Sequence, residues 1–144
     1  MEIRRLKKGD ERLAIQAVRK FKSQTADKNY YQQFLANPKN YLFVAFENEK
    51  PVGLALAYEL ERVDRNRNML FFYEIGVDAK YRRKGIGTAL IAELKKVCRK
   101  KKLLEMFVIT NASNLPAMKL YQSTGGKRED LDDVVFVYTA GSFL

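Results

Sequence analysis

Arg82-Arg83-Lys84-Gly85-Ile86-Gly87-Thr88 joins two segments of different periodicity. Ahead of it, Met69 to Val77 is rich in aromatic and branched residues and reads as a buried strand. Behind it, Ile86, Leu90, Leu94, Val97 and Cys98 recur at helical spacing, with Lys95, Lys96, Arg99 and Lys100 mostly on other faces. A basic, glycine-punctuated loop therefore opens a helix. The free N–H groups of a helix start attract anions, and glycine lets a ligand approach the backbone closely. A polyphosphate suits that chemistry, with Arg82, Arg83 and Lys84 adding charge. Taken alone, such a loop also serves as a plain turn.

A second stretch follows: Asn114-Leu115-Pro116-Ala117-Met118-Lys119-Leu120-Tyr121, then Gly125-Gly126. Ser113 or Asn114 can cap a short helix, and Pro116 suits its first turn. Ala117, Leu120, Tyr121 and Thr124 fall on one side of it. With a strand-like Leu104 to Thr110 between the two stretches, the order of parts resembles the GCN5-related N-acetyltransferases (GNAT). Arg82-x-x-Gly85-x-Gly87 is similar to their pyrophosphate loop, and the resemblance covers nearly the whole chain. It implies acetyl-CoA as co-substrate, with no metal. It also implies an α/β fold: a twisted, mostly antiparallel sheet with a central, splayed parallel strand pair and helices on both faces.

The rest of the chain accords with that order. Met1 to Leu6 reads as a strand, and Asp10 can cap a helix striped by Leu13, Ala14, Ala17, Val18 and Phe21. A second helix runs from about Asp27 to Leu35 and stops at Asn37-Pro38. Tyr41 to Phe46 and Pro51 to Leu60 form a hairpin turning at Glu47 to Lys50. Arg62 to Asn68 is a polar turn. Lys127 to Leu131 and Val134 to Tyr138 are two closing strand candidates. The 144 residues suit a single domain, with no repeat and no apolar run long enough to span a bilayer. The N-terminus lacks the apolar core of a signal peptide, and the one cysteine, Cys98, reads as a core thiol. A cytoplasmic protein is expected.

By resemblance, the strand Phe72 to Val77 would splay from its neighbour and pair with the pantetheine arm through Ile75, Gly76 and Val77. Gly76 is either the site of a bulge or a point of close packing. Arg82, Arg83, Lys84, Gly85, Ile86, Gly87 and Thr88 would hold the pyrophosphate, and Asn114 the lower pantetheine arm. Tyr121 matches the acid that protonates the departing thiolate; its plainer role is a core aromatic. The chain has no histidine, which removes the commonest general base. Glu74, in an apolar run, is the candidate base, its carboxyl made more basic by desolvation. The alternative for Glu74 is an exposed strand charge or an ion pair with a neighbouring arginine.

Tyr73-Glu74-Ile75-Gly76-Val77 is similar to the Tyr-Asp-Leu-Ala-Val strand of the aminoglycoside 3-N-acetyltransferases. Gly53 to Leu60 and Gly126-Lys127-Arg128-Glu129 also resemble that branch. It differs at Glu74, one methylene longer than Asp, and at Gly126, where the family usually has Phe. The resemblance implies a small cationic amine as acceptor, an aminoglycoside first, with antibiotic resistance as the associated trait. Polyamines and peptide amines stay open, although Ile109 stands where ribosomal-protein acetyltransferases place a glutamate base. Many relatives dimerise through their last strands, so a homodimer is expected on the same footing.

Charge bears on partners. Lys+Arg 27 against Asp+Glu 17 gives +10, with Lys80 to Lys102 densely basic and Glu129 to Asp133 acidic. The acidic run either attracts a cationic acceptor or is a solvated turn. Glu59, Glu61 and Asp64 are further candidates to line an acceptor cleft. Lys95, Lys96, Arg99, Lys100, Lys101 and Lys102 raise nucleic-acid binding as an alternative, but no stacking aromatics interleave with them. A catalytically silent CoA binder is the other alternative.

Overall fold

The computed structural model describes residues 1–143. Its elements in chain order are β1 (Glu2–Arg5), α1 (Glu11–Phe21), α2 (Lys28–Ala36), β2 (Asn40–Glu47), β3 (Lys50–Leu60), β4 (Met69–Val77), α3 (Ile86–Lys101), β5 (Met106–Phe107) and α4 (Leu115–Ser123). The sheet runs β1-β2-β3-β4-β5, antiparallel throughout except for the parallel β4–β5 pair.

Both faces of this sheet are covered, which is why β2 is apolar at nearly every position rather than at alternate ones. Leu42, Val44, Phe46 and Leu54 pack under Ala14 and Ala17 of α1 and Tyr31 of α2. Tyr41, Phe43, Ala45, Val52, Leu70 and Phe72 point the other way, onto Ile86, Leu90, Ile91 and Leu94 of α3. Cys98 packs against the second of these layers, and burial pushes its thiol pKa up, as suits an unreactive core residue.

Local chemistry sets the element ends. Asn48 and Glu49 both take positive φ, 49° and 65°, in the two-residue turn between β2 and β3. Asp27 caps α2 by accepting the Tyr30 N–H at 2.9 Å. Asp10 stands at the N-cap of α1, yet its carboxylate accepts from Lys7 N–H at 2.9 Å instead. Between Asn66 and Leu70, Arg67 donates to the Lys102 and Leu103 carbonyls at 3.0 Å each, which ties the polar turn to the end of α3.

Two expectations need correction. Strand character survives at Met106–Phe107 alone within Leu104 to Thr110. Lys127 to Leu131 and Val134 to Tyr138 form no strands, and their side chains are exposed. The two facts share a cause: among the described residues β5 has no strand on its far side, so nothing there extends it or receives the segments that follow. The parallel pair is accordingly at the sheet's edge, not its centre.

Candidate active site

β4 is where the fold opens. It pairs with β5 only at Leu70↔Met106 and Phe71↔Phe107. Its ladder to β3 continues to Gly53↔Val77. Past Phe71, then, one edge of β4 has no strand partner while the other stays bonded. This is the expected splay.

The register against β3 shifts between Leu56 and Ala57, which pair with Glu74 and Phe72. Tyr73 is therefore the bulged residue, and it is exposed. The bulge expected at Gly76 is displaced by three residues. Gly76 keeps a regular pairing with Leu54, and a Cβ there would stand 2.8 Å from the Phe21 ring. Close packing, not a bulge, accounts for that glycine.

The bulge sorts the side chains of β4. Ile75 and Val77 pack with the α3 core. Glu74 points to the α1 side, where Lys22 forms an ion pair with its carboxylate. The apolar, desolvated setting expected for Glu74 is not what surrounds it: an ammonium sits on it. Beside it runs an aromatic wall. Tyr58 meets Phe34 and Tyr73 edge-on at 6.1 and 5.8 Å, Tyr73 meets Phe71 at 5.5 Å, and Phe71 stacks on Phe107 at 4.7 Å. Burial pushes the Tyr58 hydroxyl pKa up, and the neighbouring Tyr73 and Glu74 add to the shift.

Tyr121 lies on the opposite face, its ring edge-on to Phe72 at 5.7 Å within the α3 layer. Burial alone raises its pKa, so the hydroxyl stays protonated at neutral pH. Glu74 and Tyr121 thus lie on opposite faces of the sheet at β4. Asn114 holds the start of α4, its side-chain oxygen accepting the Ala117 N–H at 3.2 Å. That leaves its amide nitrogen for other partners.

The loop itself is built for an anion. Arg83 and Gly85 take left-handed φ of 61° and 81°, turning the chain sharply into α3. No side chain caps this 16-residue helix, and nothing lies within 4 Å of where a Gly85 Cβ would stand. The N–H groups of Ile86, Gly87 and Thr88 precede the first helical bond of the segment, Ala89 N–H to the Gly85 carbonyl at 2.9 Å. A Cβ on Gly87 would come within 3.0 Å of Leu120, so this glycine lets α4 close against α3. Unpaired N–H groups at a helix start, beside Arg82, Arg83 and Lys84, are chemistry that suits an anion.

The Acetyltransferase (GNAT) family profile matches residues 10–125. The chain belongs to this family. Among solved structures it is similar to meta-AAC0020, an aminoglycoside acetyltransferase from an uncultured soil metagenomic sample. In its trehalose complex the TM-score is 0.89 at 30% identity, covering 96% of this chain and 95% of that one. The sisomicin complex of the same enzyme matches at 0.88 and 29%. Among curated proteins, human N-acetyltransferase 8 is 30% identical over 97 residues, 67% of this chain and 43% of its own. N-alpha-acetyltransferase 30 of Xenopus laevis is 30% identical over 102 residues, 69% and 36%. The chain spans under half the length of these curated relatives.

Other sequence candidates separate from this site. Glu59 is buried at the far end of the sheet, accepting from Tyr41 at 2.8 Å, Asn68 at 2.7 Å and Lys101 at 2.6 Å. Glu61 pairs with Lys39, and Asp64 with Arg62 at 2.9 Å. Of the basic stripe, Lys95 reaches the Thr124 carbonyl, Lys96 reaches Glu93 and Lys101 reaches Glu59, so these three are engaged within the chain. Glu129 to Asp133 is exposed, with Asp130 accepting the Asp132 N–H at 2.8 Å. The sequence reading missed Lys22 and the aromatic wall. Tyr58 lies opposite Phe71, a pairing readable once β3 and β4 are placed side by side. Nothing in the sequence aims Lys22.

Proposed function

We propose that this chain transfers an acetyl group from acetyl-CoA to a primary amine of a small cationic acceptor of the aminoglycoside class. The observation that carries the reading is the likeness to meta-AAC0020 across nearly the full length of both chains. A carboxylate and an aromatic wall beside the open edge of β4 support it, since both favour an ammonium ligand.

Acetyl-CoA supplies the acetyl group as a thioester that an amine attacks directly, with C–N bond formation and C–S cleavage. In this reading the N–H groups of Ile86, Gly87 and Thr88, with Arg82, Arg83 and Lys84, hold the pyrophosphate. The open backbone of Ile75, Gly76 and Val77 and the Asn114 amide align the pantetheine arm. Glu74 holds the acceptor's ammonium and takes its proton, directly or through water. Tyr121, kept protonated by burial, donates to the departing sulfur.

Acetylation of protein N-termini is the second reading, favoured by the 30% identity to N-alpha-acetyltransferase 30. Mass spectrometry across aminoglycosides, polyamines and peptides, with acetyl-CoA supplied, separates the two. Acetylated sisomicin that disappears with Glu74→Gln supports the first. Acetylation confined to peptides overturns it.

The partner reading is a homodimer. It rests on two separate observations: Val134 to Tyr138, after α4, are 63–82% exposed, and β5 stands at the end of the sheet order. A second copy's segment would cover both.

A further inference from the structure

The last turn of α1 is fastened to β4 residue by residue. Lys20 pairs with Asp78 at 2.7 Å, the Phe21 ring lies against Gly76, and Lys22 pairs with Glu74. Three consecutive residues thus meet three alternate positions, two in β4 and one, Asp78, just past its end. Packing of Phe21 fixes the backbone, and Lys22, the C-cap of the helix, bonds its own N–H to the Val18 carbonyl at 2.8 Å. The backbone that carries this ammonium toward the Glu74 carboxylate is therefore held in place. The side chains are 48% and 25% exposed, so water and a competing cation can reach the pair.

Resting on the reading of Glu74 as the acceptor's carboxylate, we infer that Lys22 is a resident occupant of the acceptor ammonium's seat. It is a primary ammonium on the group that an incoming primary ammonium must bind. An acceptor binds only by displacing it, and an intramolecular competitor is present at high effective concentration. Lys22 therefore sets the affinity threshold for acceptors and acts on KM, not on the chemical step. The aromatic faces of Tyr58 and Tyr73 beside it give the displacing cation a second place to bind.

The test uses sisomicin as probe, with steady-state kinetics and calorimetric binding on Lys22→Gln, Lys22→Arg, Glu74→Gln and the double variant Lys22→Gln/Glu74→Gln. Lys7→Gln, an exposed position after β1, controls for the lost charge. Lys22→Gln should tighten sisomicin binding and lower its KM about threefold to fivefold, the range of a part-exposed ion pair. It should leave kcat and the acetyl-CoA KM unchanged. Lys22→Arg should stay near the parent, and the gain should vanish in the Glu74→Gln background. Unchanged or weaker acceptor affinity in Lys22→Gln overturns the inference, as does an equal gain from Lys7→Gln. Failure of the underlying reading looks different: Glu74→Gln would then keep parental turnover and sisomicin affinity. Because binding is read without turnover, the two failures are separable.

Discussion

A methyl group on Gly76 would meet the Phe21 ring at 2.8 Å, so even the smallest substitution here makes that ring, or α1 with it, give way. Gly76→Ala should lower stability by about 1–3 kcal/mol, the usual cost of overpacking, visible as a reduced thermal midpoint. It should also unseat Lys22, which follows Phe21 directly. Gly85 differs in kind. Space around it is open, and its φ of 81° is what the residue must supply. Gly85→Glu puts a carboxylate at the uncapped helix start, the seat proposed for the pyrophosphate. Acetyl-CoA binding should fall below calorimetric detection while the fold stays intact by circular dichroism. Parental affinity in that variant would remove the loop from the cofactor site.

Four elements meet at one buried carboxylate. Glu59 of β3 collects Tyr41 from β2, Lys101 from α3 and Asn68 from the turn before β4. Burial raises its pKa, but hydrogen bonds from Lys101, Asn68 and Tyr41 outweigh that and leave it lowered. A lowered folded pKa means stability that is fully present above the unfolded value of about 4.3 and lost as pH falls through the folded one. Glu59→Gln should cost about 1–3 kcal/mol at neutral pH, and the gap to the parent should narrow in thermal melts below about pH 4. A gap constant with pH would show that the charge contributes nothing. Elements of this kind were the legible part of the sequence. The β2–β3 hairpin and α3 announce themselves through local period, and α2 through its Asp27 cap as well, which their own residues determine. β5 and the segments after α4 did not, because a strand exists only if a partner receives it. The site divided in the same way. The loop Arg82 to Thr88 and the α4 cap at Asn114 are local and were readable. The bulge at Tyr73, the Lys22–Glu74 pair and the stack of Phe71 on Phe107 arise from register and helix docking, which no single segment encodes.

At the scale of the molecule, apolar surface is distributed unevenly. The sheet buries both faces, yet Leu131, Val134, Val135, Phe136, Val137, Tyr138 and Phe143 are all exposed. Exposed apolar surface, where it gathers into a large patch, marks association surfaces more often than free surface. Val134 to Tyr138 is also a branched and aromatic run, suited to a strand, and the free edge of β5 is a strand's natural template. If each of two copies lends this run to the other, the exchange is reciprocal and closes as a dimer. Light scattering after size exclusion should then give a dimer for the parent chain. Phe136→Asp should shift it to monomer, because a carboxylate would be buried between sheet and partner. Acetyl-CoA affinity should hold in that variant, since the Gly85 loop lies at the start of α3 and not in the exchanged segment. A parent chain that stays monomeric up to high micromolar concentration would sink the exchange, as would a dimer indifferent to Phe136→Asp. The first result would leave the apolar run uncovered in water, and the second would move the interface to another face.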